Sequence, residues 1–354
     1  HDRGGYEEVV GSQVGSAKQL VQPGDIMISK IVPHIRRARV VGPRRGLKQI
    51  ASSEWIVFRT DKVDPRYLRH FLVSDRFHSE FMSTVAGVGG SLLRARPAAV
   101  ANLTLPLPPI EEQRRIAAIL DHSDELRQKE VQRLVAFDAL ERGLFQQMFG
   151  DLGPDSRGAR PFRHVVPSIE NGRSPVCESR PRDVGERGVL KLGAVTYGIY
   201  RPEENKAYLG SALSTDREVR SGDLLMTRKN TKELVGAVAY VASTPERLLL
   251  PDLIFRLNYE SELVHPVFLQ RLLMTGRIRA AVRGLASGSA ASMPNISKAR
   301  LLELPIPVPV MARQQEFVTT AEEIGVLRSK ASVSRAEADG LAVSLQARAF
   351  SGRL

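Results

Sequence analysis

The chain contains one internal repeat with a period of about 200 residues, and this repeat limits the possible folds more than any other feature. Matched positions are offset by 198 residues early in the copy and by 201 later, so the two copies are nearly equal in length. The matched segments are 23–29 with 221–227, 54–56 with 252–254, 64–68 with 265–269, 87–91 with 288–292, and 103–108 with 304–309, together with Gln113 with Gln314 and Phe149 with Phe350. A repeat of this length predicts two similar domains.

The second copy has an opening segment that the first copy does not match. Residues 153–198 have no counterpart ahead of His1. We therefore expect the first copy to lack the opening strands of the second, and the chain to begin inside a longer gene product.

Each copy has the pattern of a mixed α/β body that is followed by one long helix. Short apolar runs after a Gly-Asp turn, at 26–28 and 224–226, predict strands. Proline-rich segments end each body, and helix-forming sequence follows them. The predicted fold class is α/β (α+β), in two copies that are separated by two long helices. The predicted boundaries are a first, N-terminally incomplete domain at 1–109, a helix at 110–150, a second domain at 151–310 and a helix at 311–354.

Apolar residues recur at heptad spacing in both long helices, which predicts that each helix has a partner helix. Because two similar units related by a pseudo-twofold axis must pair in opposite directions, we expect an antiparallel coiled coil. A helix of about 38 residues is about 57 Å long and would act as a spacer between the domains. Two ordinary amphipathic helices in a globular core are the alternative. The predicted seam positions are 116, 119, 123, 126, 130, 133, 137, 140, 144 and 147, and 317, 320, 324, 327, 331, 334, 338, 341, 345 and 348.

The positive charge is concentrated in the two predicted domains. The formal net charge is +12, of which residues 1–109 carry +7 (16 Lys/Arg and 9 Asp/Glu) and residues 151–310 carry +6 (23 and 17). The helical segments are close to neutral. Two basic bodies on neutral connectors suit a polyanion that is contacted at two places.

Two segments resemble a known family. Residues 105–121, LPLPPIEEQRRIAAILD, resemble the signature segment of type I restriction-modification specificity subunits, and residues 345–354, LQARAFSGRL, resemble that family's C-terminal ending. The duplicated domain and the duplicated helix agree with the family across nearly the whole chain. The departure is the short first copy, because members of this family normally have a complete first domain.

The resemblance implies a recognition subunit that is not itself an enzyme. Such a subunit binds a bipartite site in double-stranded DNA and directs adenine methylation, and cleavage, by partner subunits. Two methyltransferase subunits would dock on the long helices through an exposed stripe that includes Leu120, Val131 and Leu134. An endonuclease subunit that translocates DNA can join them. S-adenosylmethionine, ATP and magnesium are expected on these partners, and this chain is expected to hold no cofactor.

The sequence lacks the motifs that catalysis by this chain would require. The sequence contains no Gly-x-x-x-x-Gly-Lys-Ser/Thr loop for a nucleotide and no Asn-Pro-Pro-aromatic motif for amino-methyl transfer. Its seven histidines are scattered, and none pairs with Cys177 or with carboxylates at metal-ligand spacing. A single cysteine and the absence of a long apolar run predict a cytoplasmic protein without a membrane span.

Basic loops after the matched Gly-Asp strands are the first candidates for DNA contact. Arginine, lysine and asparagine suit base edges and phosphates, although a solvated basic surface is the alternative. Thr196 and Tyr197 form a third candidate. Two Gly/Ser loops offer backbone N–H groups to a phosphate, with flexible linkers as the alternative. The candidate residues are Lys30, Arg36, Arg37 and Arg39 in the first loop, Arg228, Lys229, Asn230 and Lys232 in the second, and Gly89, Ser91, Ser289 and Ser292 in the Gly/Ser loops. Asp25 and Asp223, at the strand-entering turns, are expected to cap those turns.

A different class of function stays open from the residues alone. The chain could be a coiled-coil adaptor whose basic domains bind nucleic acid without sequence specificity. A preference for one DNA sequence over random duplex that resists added salt would separate the two functions. A fused methyltransferase is disfavoured by the missing motifs.

Overall fold

The computed structural model describes residues 6–86, 93–210, 217–287 and 293–354. They form two compact units. Unit 1 comprises the residues up to Val135 together with Ser329–Leu354, and unit 2 comprises Ala136–Arg328. Each unit therefore contains one copy of the repeat, the beginning of the long helix that follows it, and the end of the other long helix.

Unit 1 is a small antiparallel α/β body. Its strands are β1 (Lys18–Leu20), β2 (Ile26–Ser29), β3 (Ala38–Val40), β4 (Ile50–Ser52), β5 (Trp55–Phe58), β6 (Val85–Ala86) and β7 (Arg94–Ala95), and its helices are α1 (Pro65–Leu72), α2 (Asp75–Ser83) and α3 (Pro97–Val100). Strand β2 lies at the centre of a sheet of order β3-β2-β5. Its Ile26 and Ile28 are buried on one face, as the period-2 alternation requires. The first long helix, α4, runs from Ile110 to Phe149.

Unit 2 has the same plan with more strands. Its strands are β8 (Arg160–Pro161), β9 (Ser168–Asn171), β10 (Gly188–Leu190), β11 (Asn205–Ala207), β12 (Leu224–Thr227), β13 (Val238–Tyr240), β14 (Leu248–Leu249), β15 (Ile254–Asn258) and β16 (Pro305–Ile306), and its helices are α5 (Pro266–Met274), α6 (Gly276–Gly284) and α7 (Lys298–Leu302). The central sheet has the order β13-β12-β15-β9. The second long helix, α8, runs from Met311 to Ala349.

The sheets of the two copies differ in their number of strands. In unit 2, β9 adds a fourth strand beside β15, and β10 and β11 belong to a second sheet. Strands β9 and β10 fall within 153–198, the segment without a counterpart, and β11 follows that segment. Among the residues described here, the equivalent sheet of unit 1 has three strands.

Matched residues begin the matched helices. Asp64 caps α1 by accepting hydrogen bonds from the Arg66 and Tyr67 N–H groups, at 3.0 and 3.1 Å. His265 caps α5 by accepting from the Val267 N–H through Nδ1, at 3.3 Å. A proline follows each cap at the first helical position, where its fixed φ and its missing N–H cost little.

Buried glutamines attach each long helix to the domain before it. Gln113 accepts a hydrogen bond from the Asp64 N–H (2.9 Å) and donates to the Pro108 carbonyl (2.8 Å). Gln314 accepts from the His265 N–H (2.8 Å) and donates to the Leu263 and Pro309 carbonyls (3.1 and 2.7 Å). The repeat preserves these residues because each amide joins a helix cap to a proline-rich linker.

The two long helices pair in opposite directions within each unit. In unit 1, Arg115 of α4 donates to the Leu354 carbonyl and Arg127 donates to Asp339, at 2.8 and 2.7 Å. In unit 2, Arg313 of α8 donates to the Met148 carbonyl and Arg328 donates to Asp138, at 3.3 and 3.2 Å. The predicted fold class, two α/β copies with two long antiparallel helices, is confirmed.

The strict heptad register is wrong at several positions of both helices. Leu140 of α4 is 55% exposed, whereas Glu141 beside it is 5% exposed. In α8, Leu327 and Leu341 are each 48% exposed. A straight helix drifts about 20° per heptad, so over five heptads the buried stripe moves by about one residue. Leu120 was predicted on the exposed stripe and is buried in the core of unit 1 at 3% exposure, so that assignment was wrong too.

A buried histidine of unit 1 gives a prediction about pH. Burial lowers the pKa of His70 below its ordinary value, and the hydrogen bond between its Nε2 and Asp121 (2.7 Å) opposes that shift. The unfolded chain therefore binds a proton that the folded chain does not, and stability should fall as pH drops below about 6.5. In the variant His70→Gln, urea titrations followed through Trp55, the single tryptophan, should show a weaker loss toward acid pH.

The matched control is His122→Gln, because the His122 side chain is 69% exposed. Its acid-side slope should equal that of the unchanged protein. An identical slope in His70→Gln would contradict the assignment of this loss to His70.

Candidate nucleic-acid interface

The loop after β12 is anchored at its first residue. The Arg228 N–H donates to the Leu253 carbonyl (2.9 Å), and the Arg228 carbonyl accepts from the Ile296 N–H (3.0 Å). The guanidinium donates through Nε to Asn295 Oδ1 at 3.1 Å and lies 5.8 Å from the centroid of the Phe255 ring. Arg228 is thus held in one orientation while it stays half-buried at the surface.

Two candidates that are distant in sequence meet inside this loop. The Asn230 amide donates to Thr196 Oγ1 at 3.1 Å and accepts from the Thr231 N–H at 2.9 Å. Asn230 is 8% exposed and Thr196 is 7% exposed. Their side chains are therefore hydrogen-bonded to each other inside the domain. Tyr197, by contrast, is 60% exposed, with the Arg201 guanidinium 5.3 Å from its ring centroid.

The lysines of this loop have different surroundings. Lys229 is half-buried and pairs with Asn295 in an isolated β-bridge, and Lys232 is exposed. Within the part of the chain that the structure describes, neither lysine nor Arg228 forms an ion pair with a carboxylate. Arg228, Lys229 and Lys232 outnumber the acid of the same segment, Glu233, so the loop is positively charged.

Sequence reasoning missed the residues that support the loop from α6. Arg279 donates to the Glu233 carbonyl (3.2 Å), and Arg283 donates to the Lys232 carbonyl (3.0 Å). Their spacing of four residues places both on one helix face. Two arginines four residues apart in a helix close to a basic loop were the available signal.

In unit 1, several basic residues of the corresponding loop are engaged by acids. Lys30 lies 4.0 Å from Glu54, and Arg36 lies 2.5 Å from Asp75. Arg37 and Arg39 line a cleft of about 560 Å³ together with Asp124 and other residues of α1, α4 and α8. The first loop therefore differs from the second in its electrostatics. Gly89, Ser91, Ser289 and Ser292 lie outside the described residues.

The carboxylates of the two Gly-Asp turns have structural roles, as predicted. Asp25 accepts from the Gln22 N–H and Asp223 from the Arg220 N–H, both at 2.9 Å, which caps each turn. The Arg59 guanidinium binds Asp25 at 2.8 and 2.7 Å and lowers the pKa of that carboxyl below its usual value. Arg256 donates to Asp223 from Nε and Nη2, at 3.1 and 2.9 Å, with both hydrogen bonds going to the same oxygen, Oδ2.

The described residues contain neither a metal-binding cluster nor a membrane-spanning helix. No group of three or more His, Cys, Asp or Glu side chains there is arranged to hold a metal ion. In the same residues, no helix is both long and apolar enough to cross a bilayer.

The fold and the sequence both match proteins of one class. Residues 7–134 match the sequence model of the family described as type I restriction modification DNA specificity domain. The resemblance to type I restriction-modification specificity subunits is thereby confirmed, and the match to the family's DNA specificity domain extends over residues 7–134.

Two curated relatives come from Escherichia coli. The chain is 32% identical to the type I restriction enzyme EcoEI specificity subunit over 163 residues, which are 45% of this chain and 27% of that protein. It is 21% identical to the EcoKI specificity subunit of strain K12 over 310 residues, 81% of this chain and 65% of that protein. The chain thus spans less than two thirds of either relative.

Two solved structures share the fold. One comes from work on complex assembly and conformational transition of the type I R-M system, with a TM-score of 0.55 and 19% identity. The alignment covers 98% of this chain and 87% of that structure's chain. The type I restriction-modification S subunit from M. genitalium has a TM-score of 0.57 and 10% identity, with 94% and 84% covered. At these identities the likeness concerns the fold alone.

Proposed function

We propose that this chain is the specificity subunit of a type I restriction-modification complex. It reads a bipartite DNA site through domains at 1–109 and 151–310, and the helices at 110–150 and 311–354 connect these domains. The observation that carries the proposal is the duplicated α/β body with a basic loop after its Gly-Asp strand, in a chain with a matching DNA specificity domain. Because its ligand is chromosomal DNA, we place its action in the cytoplasm.

Partner subunits supply the chemistry in this proposal. Two methyltransferase subunits, which bring S-adenosylmethionine, dock on the long helices, and an endonuclease subunit with ATP and magnesium can join them. Exposed apolar side chains on the helices support a docking role, because solvated helix faces rarely hold so many. These side chains are Leu126, Val131, Val135 and Leu140 of α4, and Val326, Leu327, Val333, Leu341 and Val343 of α8.

Reading of one half-site is assigned to the loop at 228–232, with Thr196 and Tyr197 beside it. Arg228 is oriented by Asn295 and Phe255, so it can present its guanidinium to a base edge at little entropic cost. Lys229 and Lys232 suit phosphates. Asn230 and Thr196 maintain the shape of the loop. In the other copy, Lys30, Arg36, Arg37 and Arg39 are proposed for the second half-site, and the Gly/Ser loops, with Gly89, Ser91, Ser289 and Ser292, for phosphates.

Methylome sequencing tests this function directly. A host that carries this chain with its methyltransferase partner should gain methyladenine at one bipartite motif, and a host with either protein alone should gain none. Arg228→Ala should relax one position of the motif and cost about 1–3 kcal/mol of binding free energy. Lys232→Ala should weaken binding to all sequences alike and lower the salt dependence by about one unit.

The exposed lysine Lys330 of α8 provides a control, because it lies outside the recognition loops. Lys330→Ala should leave the motif unchanged. If the chain binds random duplex as tightly as any methylated motif at raised salt, it is an adaptor without sequence specificity. If alanine at all of 228–232 leaves affinity and motif unchanged, the loop is only a solvated surface.

A further inference from the structure

Six cations lie around the second loop, where the nearby acids Glu233 and Glu170 are fewer than the cations. Arg279 and Arg283 of α6 and Lys298 at the start of α7 join the three basic residues of the loop, Arg228, Lys229 and Lys232. Within the described ranges, none of the six forms an ion pair with a carboxylate. Charges held this close together without counter-ions favour an anionic ligand.

The two arginines of α6 are only partly satisfied. Each donates one N–H to a carbonyl of the loop, at 3.2 Å for Arg279 and 3.0 Å for Arg283. Arg279 Nη1 is buried and has no hydrogen-bond partner. A guanidinium has five N–H donors in a planar fork, so most of the donor capacity of this pair is unused.

The electrostatic surroundings of these cations also favour an anionic ligand. Burial and the charge of Arg283 lower the pKa of Arg279 to about 10. Burial and the charge of Arg228 likewise lower the pKa of Lys298. These cations are partly desolvated and repel one another, and an anion among them would relieve both costs.

The loop and α6 are packed closely enough to act together. Gly236, at φ +71°, ends the loop against α6, and an added Cβ would lie 2.6 Å from Val282 Cγ1 and 3.1 Å from Arg279 Nη1. The loop therefore has little room to shift relative to the arginines. An anion on the arginines would consequently act at a fixed distance from Arg228 and Lys232.

The other copy lacks this pair. Helix α2 matches α6 in length, and at the repeat offset of 201 it has His78 and Met82 where α6 has Arg279 and Arg283. Arg277 of α6 matches Arg76 and is already paired with Asp155. The unneutralised pair is thus specific to the second copy and is not a requirement of the shared fold.

We propose that Arg279 and Arg283 form a phosphate-binding site that takes a backbone phosphate of DNA next to the loop at 228–236. The inference rests on the proposed function for its DNA, and the chemistry it names is the phosphate group. Guanidinium groups bind phosphate through paired N–H donors, which is the capacity left unused here. Because both arginines also hold loop carbonyls, the bound phosphate would fix the loop while it reads bases.

The test is the salt dependence of DNA binding by the full-length double variant Arg279→Gln/Arg283→Gln. With a random-sequence duplex as the probe, loss of one phosphate contact should lower the slope of log K against log [KCl] by about one unit. Affinity at moderate salt should fall about tenfold or more. The double variant Arg279→His/Arg283→Met installs the residues of the first copy. It should show the same decrease in salt slope and in affinity as the Arg279→Gln/Arg283→Gln variant. Arg277→Gln, on the same helix but already paired, should keep the slope and the affinity of the unchanged protein.

Far-UV circular dichroism and the thermal midpoint separate binding from folding, because both double variants should stay folded. Inorganic phosphate, compared with chloride at equal ionic strength, should raise the thermal midpoint of the unchanged protein and not that of the double variants. An unchanged salt slope in folded double variants overturns the proposal, even if their motif preference falls, because the pair would then only order the loop. Inorganic phosphate could raise the thermal midpoint of the unchanged protein while the double variants keep the salt slope of DNA binding. That result would assign the site to free phosphate and would also overturn the proposal.

These outcomes separate the two proposals. If the unchanged protein prefers no sequence but the slope falls in the double variants, the phosphate site stands and the specificity function fails. If a motif is methylated and the slope is unchanged, the function stands and the phosphate site fails.

Discussion

Phe317→Ala should lower the free energy of unfolding of unit 2 by about 3–5 kcal/mol. Phe317 is fully buried, and its ring lies 5.4 Å from Phe145, 5.8 Å from Phe149 and 6.4 Å from Phe268, centroid to centroid. These rings join α4, α5 and α8 in one cluster, in which Phe317 meets each of the other three edge-to-face. Truncation to alanine would leave a cavity that three elements would have to close together. Urea titration followed by circular dichroism, with hydrogen exchange of the β12 and β15 amides to locate the change, measures the effect.

Leu327→Ala is the matched control, because Leu327 was assigned to the same heptad seam and is 48% exposed. Its change should stay within about 0.5 kcal/mol. Similar losses for the two variants would mean that the strict heptad register holds and that the drift of the buried stripe described above is wrong.

Gln314→Ala should destabilise unit 2 by more than about 2 kcal/mol, because it leaves several buried backbone groups without partners. The amide serves the His265 N–H and the Leu263 and Pro309 carbonyls, and the side chain is fully buried. Each orphaned buried group costs about 1–3 kcal/mol. The same urea titration measures the loss, and hydrogen exchange at the His265 amide should rise most.

The neighbouring glutamine supplies a control for helix propensity. Gln315→Ala removes an exposed amide and should leave stability unchanged or slightly raised, since alanine is the better helix former. Equal effects at 314 and 315 would show that the amide does not attach the helix to its domain.

The repeat made the architecture predictable, because each helix, strand or turn that occurs in both copies is indicated by two matched sequence segments. The glutamines, the Gly-Asp turns and the proline-capped helices all occur twice and have the same structural roles in both units. What could not be predicted depends on three-dimensional packing. The contact between Asn230 and Thr196 joins residues 34 apart in sequence, and no local pattern marks it. The burial of Leu120 depends on which helix face the domain covers, and heptad spacing alone does not determine that.

The candidate interface was predictable in part, for a similar reason. Composition identified the basic loop at 228–232, because arginine, lysine and asparagine follow one another there. It could not separate Arg228, which is oriented by Asn295, from Asn230, whose amide is used within the fold. It also could not show that Arg36 pairs with Asp75, whereas Arg228 donates to Asn295 and forms no ion pair among the residues that the structure describes.

Unit 2 is built from one chain segment and unit 1 from two, and this determines the order in which the units can fold during synthesis. Unit 2 is one continuous stretch, Ala136–Arg328, so all of its residues leave the ribosome before the last helical segment does. Unit 1 needs Ser329–Leu354, and Phe350 packs against Tyr67 and Phe71, at ring centroid distances of 5.6 and 5.3 Å. The part of unit 1 that precedes unit 2 in the chain therefore waits for Ser329–Leu354 before its core can close. Until then, the apolar face of α1 is exposed on the nascent chain, and chaperone contacts at that stage would concentrate there.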